Sequence, residues 1–187
     1  MSGDFCVGAT TLPDVFTIKR ARRGDDRGFL SRLFSADEFS EWGWVKPIAQ
    51  INHTYTGARG TIRGMHFQFA PKAEKKIIFC LKGAVCDVAV DLRRGSRAFL
   101  RHHIEILSAD NRRALLIPEG CGHGFQTLTD DVELIYFHSE YYAPHHEGGV
   151  SALDPMLAIP WPEPAGVMSE RDRSHPLLTS SYEGLRL

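Results

Sequence analysis

From Ile48 to His138 the chain runs through short stretches of apolar and alternating positions, each ended by a turn signal. Alternation of period two marks a strand with one face on a core, and short continuous apolar runs mark strands covered on both faces. The stretches are Ile48 to Tyr55, Thr61 to Phe69, Lys75 to Leu81, Val85 to Leu92, Arg101 to Leu107, Ala114 to Ile117, Gly124 to Thr127 and Val132 to His138. Between them stand Thr56-Gly57, Ala70-Pro71, Lys82-Gly83, Arg94-Gly95-Ser96, Ala109-Asp110-Asn111, Pro118-Glu119-Gly120 and Asp130-Asp131. No segment of helical period interrupts the series. The pattern predicts an all-β, antiparallel sandwich or barrel.

Before this region, Asp4 to Lys19 reads as an extended N-terminal arm, and Gly24-Asp25-Asp26 as a turn. Phe29, Ser31 and Leu33 then alternate with Leu30, Arg32 and Phe34, which predicts a strand. Ser35-Ala36-Asp37-Glu38 has the spacing of a capping box and predicts a short helix through Phe39 and Trp42, closed by Gly43 and Pro47. After Tyr142 proline, glycine and acidic residues dominate, yet Trp161 and Leu177-Leu178 remain to be buried. The reading is one domain, with a core from about 27 to 142 and a C-terminal cap over 143–187 packed on the barrel.

Composition narrows the function classes. Lys plus Arg is 22 and Asp plus Glu is 23 in 187 residues, so no global charge recruits nucleic acid or an anionic membrane. No apolar run reaches spanning length, and the first residues lack a signal-peptide pattern. Cys6, Cys80, Cys86 and Cys121 form no CxxC pair, which argues against disulfides and a structural zinc site and makes the cytoplasm the default compartment.

The candidate chemistry centres on Arg63-Gly64-Met65-His66-Phe67-Gln68, where a histidine stands in a strand near an arginine and two amides, Gln50 and Asn52. Such a histidine is either a proton acceptor facing a polar substrate or a core residue satisfied by a carbonyl. Period-two counting puts Gln50 with Asn52, His66 with Gly64 and Gln68, Lys76 with Ile78 and Cys80, and Tyr136 with Leu134 and His138. Lys76 and Tyr136 are thus cavity-lining groups, or a solvated strand end and an ordinary amphipathic core residue. Pro118-Glu119-Gly120-Cys121-Gly122-His123 is similar to the second motif of cupins, whose histidine binds metal. Here only His66 and His123 stand ready, and divalent sites want three or more protein ligands, so no metal is expected. His53, His138, His175, His102-His103 and His145-His146 read as surface or structural.

Taken in order, several pieces resemble the dTDP-4-dehydrorhamnose 3,5-epimerase family: Asp26-Arg27-Gly28-Phe29, Gln50-Ile51-Asn52-His53, Arg63 to Gln68, Lys76, Asp87 to Arg93, Ile117 to Gly120, His123-Gly124-Phe125, Tyr136, Tyr141-Tyr142, Glu147-Gly148, Trp161-Pro162 and Ser169 to Asp172. The resemblance implies a cupin-like jelly-roll homodimer without metal or cofactor, acting on a nucleotide-diphospho-4-keto-6-deoxyhexose. It implies His66 as base, Asp172 as its orienting carboxylate, Lys76 as the cation at the enolate oxygen and Tyr136 as the acid on the opposite face. Ser169 to Asp172 also reads as a capping box, the bland account of that aspartate. Arg27 and Arg63 would clamp the diphosphate, Gln50 and Asn52 would bond the nucleotide or the pyranose, and Tyr141 or Tyr142 would stack on the base. His123 and Glu147 complete the binding set. Strict alternation turns Arg63 away from His66, so its role needs a twist or bulge at Gly64, or a neighbouring subunit's site. Arg32 stands where the family usually has a glutamate near the nucleobase, which leaves room for a nucleotide other than thymidine. The alternatives are a nucleotide-sugar 3,4-ketoisomerase, a metal-dependent cupin oxygenase and a non-catalytic sugar-nucleotide binding module.

Overall fold

The computed structural model describes residues 3–187. In chain order the elements are β1 (Phe5–Ala9), β2 (Phe16–Arg20), β3 (Arg23–Asp25), β4 (Gly28–Leu30), α1 (Ala36–Ser40), β5 (Gln50–Thr56), β6 (Ile62–Gln68), β7 (Lys76–Lys82) and β8 (Ala84–Asp91). They continue with β9 (His102–Ser108), β10 (Arg113–Ile117), β11 (Cys121–Thr127), β12 (Val132–His138), β13 (Glu147–Gly149) and α2 (Glu170–Ser174). A six-stranded sheet in the order β1-β2-β10-β7-β12-β5 faces a five-stranded sheet in the order β13-β6-β11-β8-β9. All their pairings are antiparallel. This is the expected jelly roll, and each strand predicted between Ile48 and His138 forms.

The inner faces of both sheets supply one core, with Ile78, Cys80, Leu115 and Leu134 from one side and Val85, Ala89, Cys121 and Phe125 from the other. The outer faces are covered as well. Residues 150–185 lay Val150, Ala152, Leu157, Met168 and Leu185 over Ile62, Phe67, Cys86, Val88 and Val90. On the other sheet Phe39 and Trp44 cover Ile77, Phe79 and Phe137. Double coverage explains why the middle of β7 and most of β8 read as nearly unbroken apolar runs rather than clean alternation. Among the described residues no helix is long and apolar enough to cross a membrane.

Three N-terminal expectations are corrected. The arm is a hairpin: β1 pairs with β2, and β2 pairs with β10 through Ala114↔Ile18. Leu12 and Val15 at its turn are buried in the inter-sheet core, so that core takes in residues ahead of the β3–β4 hairpin. The strand expected over Phe29 to Phe34 ends at Leu30, because Leu33 and Phe34 both pack towards the α1 cluster and so cannot alternate. Helix α1 forms without its capping box: Ser35 makes no side-chain cap bond, and buried Phe39, against Phe5, Phe34 and Trp42, holds the turn.

Candidate active site

A cavity of about 300 Å³ opens between the two sheets. The five-stranded sheet brings Arg63 and His66 on β6, His123 and Phe125 on β11 and Glu147 on β13. The six-stranded sheet brings Gln50, Asn52 and Thr54 on β5, Lys76 on β7, and Tyr136 and His138 on β12. Glu74, Tyr142 and Arg171 complete the lining. The face counts for Gln50 with Asn52 and for Tyr136 with His138 hold.

Arg63 and His66 share the cavity because β6 is irregular at Gly64. His123 stands opposite His66 and Phe125 opposite Arg63, so two steps along β11 match three along β6. The extra residue reverses which side chains face inward. Gly64 has φ +115°, and an added Cβ would fall 2.6 Å from Gly124 Cα and 2.7 Å from the His123 carbonyl. Only glycine fits that conformation and that approach.

His66 Nε2 lies 2.6 Å from Asp172 Oδ1, although the two residues are 106 apart in sequence. Asp172 sits in the first turn of α2, where its backbone N–H donates to Ser169 Oγ, so the cap is real and frees the carboxylate to face His66. Burial alone would raise the Asp172 carboxyl, but its bonds and charge contacts with His66, Ser169 and Arg171 hold it below its ordinary value. The carboxylate fixes the proton on Nε2 and leaves the lone pair on Nδ1. Arg171 Nη2 lies 3.3 Å from the same Nε2, and its Nη1 donates to both carboxylate oxygens of Glu147 (3.1 and 3.0 Å).

The opposite wall carries a polar chain that sequence reading missed in part. Lys76 Nζ is 2.9 Å from Glu74 Oε1, and His138 Nδ1 is 2.8 Å from Glu74 Oε2. Asn52 Nδ2 stands 3.4 Å from His138 Nε2, Gln50 Nε2 donates to Asn52 Oδ1, and the Tyr142 N–H donates to Gln50 Oε1. Burial would raise the Glu74 carboxyl, but Lys76 and His138 outweigh it and lower it. Tyr136 stacks beside His138, with ring centroids 6.0 Å apart at 18°. Burial pushes its phenol well up, and the Asp87 charge adds to the shift. His138 is thus a pocket residue, not the surface or structural one expected. Glu74 precedes β7 in a loop, and sequence reading missed its spacing of two from Lys76 as a pair.

His123 is buried, and its Nε2 bonds Asp87 Oδ1 at 2.8 Å instead of joining His66 as a second ligand. The donors beside His66 are Asp172 and His175. His175, also read as surface or structural, has only 14% of its side chain exposed. The binding candidates divide. Arg63, Gln50, Asn52, His123, Tyr142 and Glu147 line the cavity, and Tyr142 Oη donates to Glu147 Oε2 at 2.9 Å. Tyr141 does not line it. Arg27 is 89% exposed on the β3–β4 hairpin and pairs with Asp25, outside this chain's own cavity. Arg32 pairs with Asp4 at 2.8 Å and Glu38 at 3.3 Å, also away from it. Neither arginine is brought to the site, because the hairpin leaves both main sheets and Arg32 is tied to the N-terminal arm and α1.

The sequence profile described as dTDP-4-dehydrorhamnose 3,5-epimerase matches residues 9–180. The chain belongs to this family. A dTDP-4-dehydrorhamnose 3,5-epimerase of Pseudomonas aeruginosa is 41% identical over 164 residues, 87% of this chain and 90% of that protein. A dTDP-4-dehydrorhamnose 3-epimerase of Streptomyces niveus is 39% identical over 173 residues, covering 92% and 83%. The crystal structure of a dTDP-4-dehydrorhamnose 3,5-epimerase from Bacillus anthracis, with TDP and PPi bound, superposes with a TM-score of 0.89 at 41% identity, over 93% of this chain and 99% of that one.

Proposed function

We propose that the protein is an epimerase that inverts C3, C5 or both of a nucleotide-diphospho-4-keto-6-deoxyhexose. The observation that carries this reading is His66 on one sheet, paired with Asp172 of α2, facing Lys76 and Tyr136 on the other sheet across a single cavity. A C–H bond beside a ketone is acidic once the enolate oxygen is stabilised. His66 takes the proton at Nδ1 and Asp172 stabilises the imidazolium. The bonding pair moves to the ketone oxygen, held by the Lys76 ammonium. Tyr136 protonates the carbon from the other wall, and solvent resets both groups. Arg63 contacts the diphosphate, while Gln50 and Asn52 bond the sugar or the nucleotide. Tyr142, held by Glu147, offers the base a ring to stack on.

The test is proton NMR of dTDP-4-keto-6-deoxyglucose in deuterated water with the purified protein. Deuterium entering at C3 or C5 is the expected result, and one centre against two separates a mono- from a double epimerase. CDP- and GDP-linked sugars are offered in parallel. Silence on all three removes the epimerase reading and favours a binding module.

The reading includes a homodimer. Arg27 stands on an exposed hairpin with Phe29 and Leu30 also exposed, and β5 is an open edge carrying exposed Ile51 and Tyr55. Open edges and exposed apolar side chains are covered by symmetric association, and a clamp by Arg27 then acts in the partner's cavity. Light scattering is expected to give twice the chain mass. Mixing His66→Ala with Arg27→Ala chains is expected to recover activity that neither variant has alone; a monomer, or no recovery, overturns this arrangement. The four free cysteines, three of them buried, fit a reducing cytoplasm.

A further inference from the structure

We propose that His66, Asp172 and His175 form a binding site for a borderline-soft divalent ion such as Zn²⁺, and that the ion switches the base off. The inhibitory half rests on the epimerase reading; the binding half does not. One ligand atom from each residue lies within 4.8 Å of the other two. Two imidazoles and one carboxylate are the donor set of open zinc sites with three protein ligands. His175 Nε2 is 3.7 Å from Asp172 Oδ1, buried, and without a hydrogen-bond partner. A Cβ on Gly149 would fall 2.4 Å from that ring, so the glycine makes the space the imidazole fills. Tetrahedral zinc at ~2.0–2.2 Å from its ligands places them roughly 3.3 Å apart. The 2.6 Å pair must therefore open a little and the 3.7 Å pair close slightly.

Access and charge support the site. A second groove, about 420 Å³ and lined by His66, Asp172, Ser169 and Met168, adjoins the substrate cavity, with which it shares Arg63, His66 and Arg171, and reaches the pair. Arg171 opposes a cation, with Nε 3.8 Å from Asp172 Oδ1, but Glu147 holds its guanidinium by both oxygens. Asp172, Arg171 and Glu147 together carry one net negative charge, and both histidines coordinate as neutral rings. Coordination at His66 Nε2 moves that nitrogen's proton to Nδ1 through solvent, with no net proton lost. Nδ1 is the atom that must accept the substrate proton, so the bound ion leaves the imidazole unable to act as a base.

The experiment is isothermal titration of Zn²⁺ into the metal-stripped full chain, with His175→Ala and His175→Asn beside the wild type and a thermal melt of each. One tight site per chain is expected in the wild type, weakened ~10–100-fold in both variants, the scale seen when even an outer partner of a metal ligand is lost. Mg²⁺ should give no heat, since hard ions prefer all-oxygen sites. Zn²⁺ should also stop wild-type turnover, with recovery on adding EDTA, while the variants keep turning over at the same Zn²⁺ concentration. No tight site, a site of equal strength in both folded variants, or a bound ion that leaves turnover unchanged overturns the proposal. A protein that binds Zn²⁺ in this way but never turns over a 4-keto sugar refutes the epimerase reading alone.

Discussion

His66→Asn is expected to lower turnover of the 4-keto sugar by ~10²–10⁴-fold or more, the usual scale for removing a positioned general base. Asparagine ends near the imidazole Nδ1 position and falls short of Asp172, but Arg171 Nε at 3.8 Å and His175 Nε2 at 3.7 Å stay beside the carboxylate, so the buried charge keeps neighbours and the fold is retained. What disappears is the lone pair that accepts the carbon-bound proton. No other cavity residue replaces it. His123 is bonded to Asp87 and His138 to Glu74, and Tyr136 is held in its protonated form. The loss should fall on kcat with KM little changed, because the diphosphate contacts proposed for Arg63 and Arg27 are left in place. Deuterium uptake at C3 and C5 must vanish together with product. Exchange at the wild-type rate in the variant would remove His66 from the mechanism.

How much of this was legible in the sequence depends on where each residue sits. Strand residues were read well, since alternation and turn residues act over a few positions: Gln50, Asn52, Lys76 and Tyr136 all lie on the faces that counting gave them. Arg63 was the exception, and the same sequence named its cause, a glycine that lets β6 gain a residue. Asp172 was reached only through family resemblance, because its contact closes a loop of 106 residues and its local pattern already had a sufficient explanation as a helix cap. Glu74, His138 and His175 were missed for a related reason. Glu74 meets His138 64 residues away, and His175 meets the His66 ring of β6; their near contacts, Glu74 with Lys76 and His175 with Asp172, give no sign that either pair faces a cavity. The N-terminal hairpin was read as an arm because the sheet edge it covers, β10, lies about 90 residues downstream. Arg27 and Arg32 were assigned to binding by motif, which is silent on whether the hairpin serves its own chain or a partner's.

Tyr136→Phe should separate the two halves of the reaction. The variant is expected to keep deuterium exchange beside the ketone while inverted product falls ~10²–10⁴-fold. In the proposed mechanism enolate formation needs only His66 and Lys76, which stay in place, and the imidazolium can return a proton or deuteron to the face it came from. That return labels the carbon with retention. Inversion needs a donor on the other wall, and Tyr136 qualifies because it is on the opposite sheet and because burial, with the Asp87 charge adding to it, keeps the phenol protonated near neutral pH. Deleting one oxygen leaves the ring packed with the inter-sheet core and beside His138, so stability should change little. Undiminished inversion in the variant would show that another group, or water, delivers the proton. Loss of exchange together with inversion would instead place the phenol in the formation of the enolate, as a hydrogen-bond donor to the same oxygen as Lys76. The ratio of labelled starting sugar to inverted product, followed in one NMR time course, distinguishes these outcomes, because retention and inversion divide a common intermediate.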